Sequence, residues 1–275
     1  MQRPYRSVDH VMLRLTAAEP LYELFSNTLG LPVAWPLQRE AFATYGWIHV
    51  GNTDLELWAA SSNSDLPDHA PAPLVHGFAL EPAAALAECL TWMSEAALAF
   101  QAPRAFRSQN PTGQWVTNFT NSVVRDVSSP GCCVFFCEWD RCATIYPWDA
   151  AETPVARRAQ LREVLAERRG GALGITGLQS IRLATPELES TRLHRRALTG
   201  STGGEAIRLT SDIALELVSG EYLRIESICL GVRSLDVARN ALRNLRLLAQ
   251  DHGNALALSA HGLRMELREA APGSC

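Results

Sequence analysis

Short apolar runs recur along the chain, each followed by a stretch with helical spacing. Residues 8–15 place Val8, Val11, Leu13 and Leu15 among few charges, the mark of a buried strand. Residues 17–30 follow, with Leu21, Leu24, Phe25 and Leu29 on one side of a helix and Gly30 as its stop. The segments "LPVAWPL", "ATYGWIHVG" and "DLELWAA", split by turn residues, predict three short strands. The unit reads β-α-β-β-β.

The same order returns three times. "LVHGFAL" (74–80) opens a second unit, with a helix over 82–97 and strands near 103–107, at 115–121 and at 132–139. "GLQSIRLAT" (177–185) opens a third, with a helix near 186–197 and strands at "AIRLT" and "IALELVS". "RIESICLGV" (224–232) opens a fourth, with a helix over 235–250 and strands at "ALALS" and "LRMELRE". The pattern predicts an α+β fold of four βαβββ modules forming two paired, cup-shaped curved sheets. The first half spans 1–150 (modules 5–60 and 73–150) and the second 172–275 (modules 174–220 and 222–270). Between them, 151–171 reads as a linker helix, and its arginine-rich run "VARRAQLREVLAERR" reads as a solvated face.

Superposing the four opening strands sets His10 over His76, Ser180 and Ser227. Superposing the closing strands sets Glu56 of "LELW" over Glu138 of "FCEW", Glu216 of "LELV" and Glu266 of "MELR". The first half then carries two histidines and two carboxylates at matched points, and the second half has serines for the histidines. Imidazole and carboxylate together suit a divalent metal such as Fe, Mn, Ni or Zn. One ligand per strand can be aimed at a common point while its neighbours pack. Glu216 and Glu266 recur without histidine, so a strand glutamate here also has a structural reading, which bears on Glu56 more than on Glu138.

This order of units, with the His of "VDHVML", the Glu of "DLELW", the His of "LVHGFAL" and the Glu of "FFCEWD", resembles the vicinal oxygen chelate superfamily. That superfamily includes glyoxalase I, extradiol ring-cleaving dioxygenases and bleomycin-resistance proteins. The resemblance implies one divalent metal in a cup, held by His10, Glu56, His76 and Glu138, and a substrate chelated through two neighbouring oxygens. Three functions follow from it. The first is a glyoxalase-like lyase or isomerase, in which Glu56 or Glu138 leaves the metal to act as base. The second is an Fe(II) extradiol-type dioxygenase using His10, His76 and Glu138. In such enzymes the metal usually lies in the C-terminal half, whereas here the histidines lie in the N-terminal half. The third is a metal-free protein that binds an aromatic drug. The complete four-residue set favours the first.

Softer candidates surround this set. His49 in "GWIHVG" could serve as a proton shuttle, and Tyr146 could donate a proton to bound substrate. Trp35, Tyr45, Trp47, Trp58 and Trp115 could line a pocket for a flat molecule.

Composition narrows the classes further. The chain has 275 residues, 47% of them hydrophobic, with a net charge of −4 spread without blocks, which excludes a basic nucleic-acid face. No apolar run reaches the ~18 residues of a membrane span, and the N-terminus shows no apolar leader. Seven irregularly spaced cysteines fit reduced thiols and a cytoplasmic setting. The sequence has no lysine, so Schiff-base chemistry and a phosphate-loop lysine are excluded. The expected partner is a small, possibly aromatic substrate, with neither nucleic acid nor membrane, in a monomer or homodimer.

Overall fold

The computed structural model describes residues 3–141, 143, 145, 152–201 and 206–270. Alternation of apolar and polar positions produces the expected strands. The first unit comprises β1 (Tyr5–Arg14), α1 (Glu19–Glu23) extended by a π turn (Leu24–Thr28), β2 (Val33–Arg39), β3 (Ala43–His49) and β4 (Asp54–Ala60). The second comprises β5 (Leu74–Pro82), α2 (Leu86–Glu95), β6 (Arg104–Gln109), β7 (Trp115–Val123) and β8 (Cys133–Trp139). Helix α3 (Pro154–Glu167) leads to the second half. There β9 (Ile175–Thr185), α4 (Leu188–Thr199), β10 (Ile207–Arg208) and β11 (Ala214–Ser219) form the third unit. The fourth is β12 (Arg224–Val232), α5 (Leu235–Asn244), β13 (Leu248–Asp251), β14 (Ala255–Ala260) and β15 (Leu263–Glu269).

The first sheet runs β2-β3-β4-β1-β5-β8-β7-β6 and the second β10-β11-β9-β12-β15-β14-β13. In each, two opening strands pair antiparallel at the centre, and each closing strand lies parallel beside its own opening strand. The two units of a half are thus related by a local two-fold through the seam. The third unit departs from the expected pattern: among the described residues only two strands follow its helix. The stretch 200–213 is too short for the pair of strands and turns that the first unit builds over 29–53.

One continuous apolar core joins both halves, including Leu13, Leu57, Phe78 and Phe136 of the first sheet and Ile181, Leu183 and Ile228 of the second. The helices add Leu21, Leu90, Leu198 and Leu242 to it. The Asn52 amide bridges the halves, donating to the Leu178 carbonyl at 2.9 Å and accepting from its amide at 2.8 Å. Helix α3 departs from the sequence reading. Leu161 and Leu165 are buried, and Arg158 turns inward onto the first sheet rather than into solvent.

Each seam strand carries an extra residue, a β-bulge, beside its cup, and β1 and β9 each have a second one nearer their start, at Arg6 and Thr176. In the first seam, Val8 pairs Leu80 and His10 pairs Ala79, so Asp9 is extra; Met12 pairs Gly77 and Leu13 pairs Val75, so His76 is extra. The second seam repeats this: Leu178 pairs Leu230 and Ser180 pairs Cys229, leaving Gln179 extra, while Arg182 pairs Ser227 and Leu183 pairs Ile225, leaving Glu226 extra. The residue after each of these cup-side bulges is therefore His10, Gly77, Ser180 or Ser227. His76 matches Asp9, not His10.

Gly77 sits close against β8. A Cβ there would lie 1.9 Å from the Cys133 carbonyl oxygen. Gly77→Ala must separate these strands, at a cost of about 1–3 kcal/mol in unfolding free energy, measurable by urea denaturation.

Candidate functional site

The closing strands follow the same two-fold. Met12 pairs Glu56, Arg182 pairs Glu216, Cys229 pairs Glu266 and Ala79 pairs Phe135. Since Met12, Arg182, Cys229 and Ala79 each stand two residues after their post-bulge position, the equivalent closing residues are Glu56, Glu216, Glu266 and Phe135. Glu138 lies three residues beyond Phe135 and points to the other face of β8. Its Oε1 accepts the Leu86 amide at 2.8 Å, at the first turn of α2, where a negative charge meets unpaired N–H groups.

The structure therefore brings together His10 and Glu56 but not the other two expected ligands. His10 and Glu56 lie on the floor of the first cup, with Nε2 and Oε2 3.5 Å apart. His76 lines the cup farther along, and its Nε2 meets the Pro130 carbonyl at 3.1 Å. Among the described residues, no three His, Cys, Asp or Glu side chains converge as a metal site would require. Gly77 and Phe135 stand at the two remaining matched positions, and neither can donate an electron pair. Among the described residues, the donor set of this cup does not fit a chelated divalent ion.

The second cup has the carboxylates but fills the space between them. Arg182 and Arg268 each pair with both Glu216 and Glu266, and Ser180 Oγ donates to Glu216 at 2.9 Å. Burial pushes the Glu216 carboxyl up, but Ser180, Arg182 and Arg268 bring it below its ordinary value. Two guanidinium groups occupy the place that a cation would take.

His10 is held from behind. Its Nδ1 meets Asp9 Oδ2 at 2.8 Å, and Asp9 is fully buried. Asp9 also accepts from the Trp139 indole at 3.3 Å and from Arg158 of α3, which reaches Glu81 as well. Burial would raise the Asp9 carboxyl, but the Arg158 charge and the His10 and Trp139 hydrogen bonds hold it at about 2. Burial would lower the His10 imidazole, yet the Asp9 bond and the Glu56 charge raise it. Burial raises Glu56 despite the attraction of His10 and a hydrogen bond from Trp47.

Most of the remaining wall is aromatic, with Met12, Asn121, Cys137 and Ile145 between the rings. The cup encloses about 320 Å³ and is walled by Trp35, Phe42, Tyr45, Trp47, Trp58, Phe106, Phe119, Phe135 and Trp139. Trp47 lies 4.4 Å from the His10 ring centroid, Tyr45 stacks on Trp58 at 5.4 Å, and Phe106 stacks on Phe119 at 4.9 Å. Arg14 also lines the cup, its charge paired with Asp65 at 2.6 Å.

The other sequence candidates fall elsewhere. His49 is completely buried outside the cup, with Nδ1 on Asp54 at 2.6 Å and Nε2 on the Gly51 carbonyl at 3.1 Å, so both ring nitrogens are committed to holding the β3–β4 turn. Trp115 is 64% exposed and is not part of the wall. Tyr146 lies outside the described residues. Sequence reading missed Asp9, Arg158, Trp139 and the phenylalanines. The alternation in "CCVFFCEW" could have located Phe135 and Trp139, but nothing local marks Arg158 as inward-facing.

No protein-family profile matches the chain, and no curated protein matches it. Its fold is that of extradiol dioxygenases. Homoprotocatechuate 2,3-dioxygenase from Arthrobacter globiformis superposes with a TM-score of 0.59 at 14% identity, over 100% of this chain and 84% of that one. The Brevibacterium fuscum enzyme in complex with 3,4-dihydroxyphenylacetate gives 0.58 at 13% identity, over 99% and 84%. A hypothetical protein from Staphylococcus aureus gives 0.58 at 9%, over 96% and 99%. No helix among the described residues is long and apolar enough to cross a membrane.

Two measurements check this geometry. Glu138→Ala should cost about 1 kcal/mol of stability through the lost α2 contact while leaving the cup unchanged, as read by denaturation and tryptophan fluorescence. Asp9 stabilises the fold above its ordinary pKa of 3.8 and loses that contribution as pH falls toward about 2. Its carboxyl ¹³C resonance should therefore stay in the ionised position down to about pH 3, whereas titration near 4 would mean the ion pair with Arg158 is not made.

Proposed function

We propose that the first half binds a small planar aromatic molecule in its cup, and that binding does not run through a metal ion. The observation that carries this reading is the paving of the concave face by aromatic rings around the His10–Glu56 pair, with Arg14, His76 and Asn121 as the other polar groups of the lining. A cavity of about 320 Å³ with apolar walls and few converging polar groups suits a ligand of one or two fused rings. Flat rings stack favourably on such walls beyond the simple burial of their area.

A metal-dependent lyase or isomerase, expected from four matched donors, would need two more ligands than His10 and Glu56. An extradiol-type dioxygenase has the fold in its favour, and the solved complex of one such neighbour holds 3,4-dihydroxyphenylacetate, a catechol. Ring cleavage here would still require three donors around one ion. Gly77 and Phe135 in the first cup, and the arginine pairs in the second, count against it.

The test uses 2-naphthol, a two-ring probe, and quenching of the cup tryptophans. Chelator-treated protein should bind it, with affinity unchanged within about twofold when Fe(II), Mn, Ni or Zn is added, and Trp58→Ala should weaken binding about tenfold. Stoichiometric metal that survives gel filtration and is needed for binding, or oxygen uptake with a catechol, would overturn the proposal in favour of the dioxygenase.

A further inference from the structure

Helix α3 does more at the cup than join the two halves. Leu161 packs with Ala34, Trp35 and Trp47, so the helix backs two of the tryptophans that line the cavity. One turn earlier, Arg158 reaches in behind Trp47 and Trp139, only 12% exposed. Its two terminal nitrogens divide between two carboxylates, Nη1 on Asp9 Oδ1 and Nη2 on Glu81 Oε2. Asp9 belongs to β1 and Glu81 to β5, so one guanidinium clasps both strands of the seam. A planar fork with fixed donors suits such a two-sided contact, and a flexible ammonium would not reproduce it fully.

The consequence reaches the cup through Asp9. With Oδ1 taken by Arg158, the other oxygen is aimed at His10 Nδ1, 2.8 Å away. That bond fixes the imidazole, as second partners of functional histidines do. It leaves Nε2 facing the cavity, 3.5 Å from Glu56 Oε2. A polar group that a ligand brings to the cavity floor meets that pair, while Arg14, His76 and Asn121 supply the other polar groups of the lining. A hydroxyl suits the pair: with Nδ1–H given to Asp9, Nε2 is a bare acceptor, and the hydroxyl donates its proton to Nε2 or to the Glu56 carboxylate beside it.

We infer that Arg158 is the positioning residue of the cup: by holding Asp9 it orients His10, so that His10 Nε2 and Glu56 together receive one hydroxyl of an aromatic ligand. The inference rests on the aromatic-binding reading above and adds to it the polar group the ligand carries and the residue, on another element, that makes its recognition possible.

The experiment compares 2-naphthol with naphthalene, which differ only in the hydroxyl, by calorimetry on the full chain. The wild-type protein should prefer 2-naphthol by about tenfold, the worth of a hydrogen bond to a charged partner. Arg158→Met should narrow that preference toward parity while naphthalene binds as before, and Arg158→Lys, which keeps the charge, should restore most of it. Should the methionine variant fold poorly, Arg158→Gln should show the same narrowing. The His10 ring ¹⁵N spectrum should report a single Nδ1–H tautomer in the wild type and in Arg158→Lys, and a mixture in Arg158→Met. If the variants weaken both compounds equally, or leave the preference and the tautomer intact, the positioning role is wrong while the aromatic cup stands. If neither compound binds the wild type, the aromatic reading falls and the positioning role with it.

Discussion

The β-bulge beside the cup in each seam strand is the constraint on which the rest of the structure depends. Side chains on a strand alternate between faces, so inserting one residue switches every later side chain to the other side. In β1 the bulge at Asp9 leaves Val8, Val11 and Leu13 in the core and directs His10, Met12 and Arg14 to the cup. In β5 the bulge at His76 gives the equivalent cup position to Gly77. A glycine is what the close approach of β8 permits there. The chemistry of the site is thus decided by a backbone irregularity one residue long, and by the steric limit beside it.

Three of the four closing positions hold glutamate, yet their surroundings differ. Glu56 is buried against His10 and Trp47, where desolvation raises its carboxyl. Glu216 and Glu266 are shared between Arg182 and Arg268 near the surface, where the cations stabilise the charge. A carboxylate in a strand takes its character from what stands opposite it. The same scaffold accordingly makes an aromatic cavity with one polar end in the first half and an ion-pair network in the second.

The linker helix ties these levels together. Its apolar side supports Trp35 and Trp47, and its buried arginine neutralises two carboxylates that would otherwise repel across the seam. Burying Asp9 without Arg158 would leave an unpaired charge in a low-dielectric setting, which costs several kcal/mol. Orientation of His10, and through it the polar end of the cup, therefore depends on an element roughly 150 residues away in sequence, whose bond to Asp9 spans a separation of 149.

Much of the fold was legible in the sequence. Period-two and helical spacing revealed the four units, their order and the two halves, because burial of one face imposes those periods on any strand or helix. That His10 and Glu56 face the cup was legible for the same reason: their neighbours Val11, Leu13, Leu55 and Leu57 mark the opposite face as core. What sequence superposition could not supply was register. "LELW" and "FCEW" look alike, but strand pairing sets Glu56 opposite Met12 and Phe135 opposite Ala79, three residues short of Glu138. The bulges that shift His76 by one place leave no local signature, since they arise from how two strands pair. Nor does an arginine in a charged helix announce that it will be buried. Local periodicity determined which elements form; only the tertiary structure decided which side chains meet, because pairing register and long-range ion pairs join residues that share no local pattern.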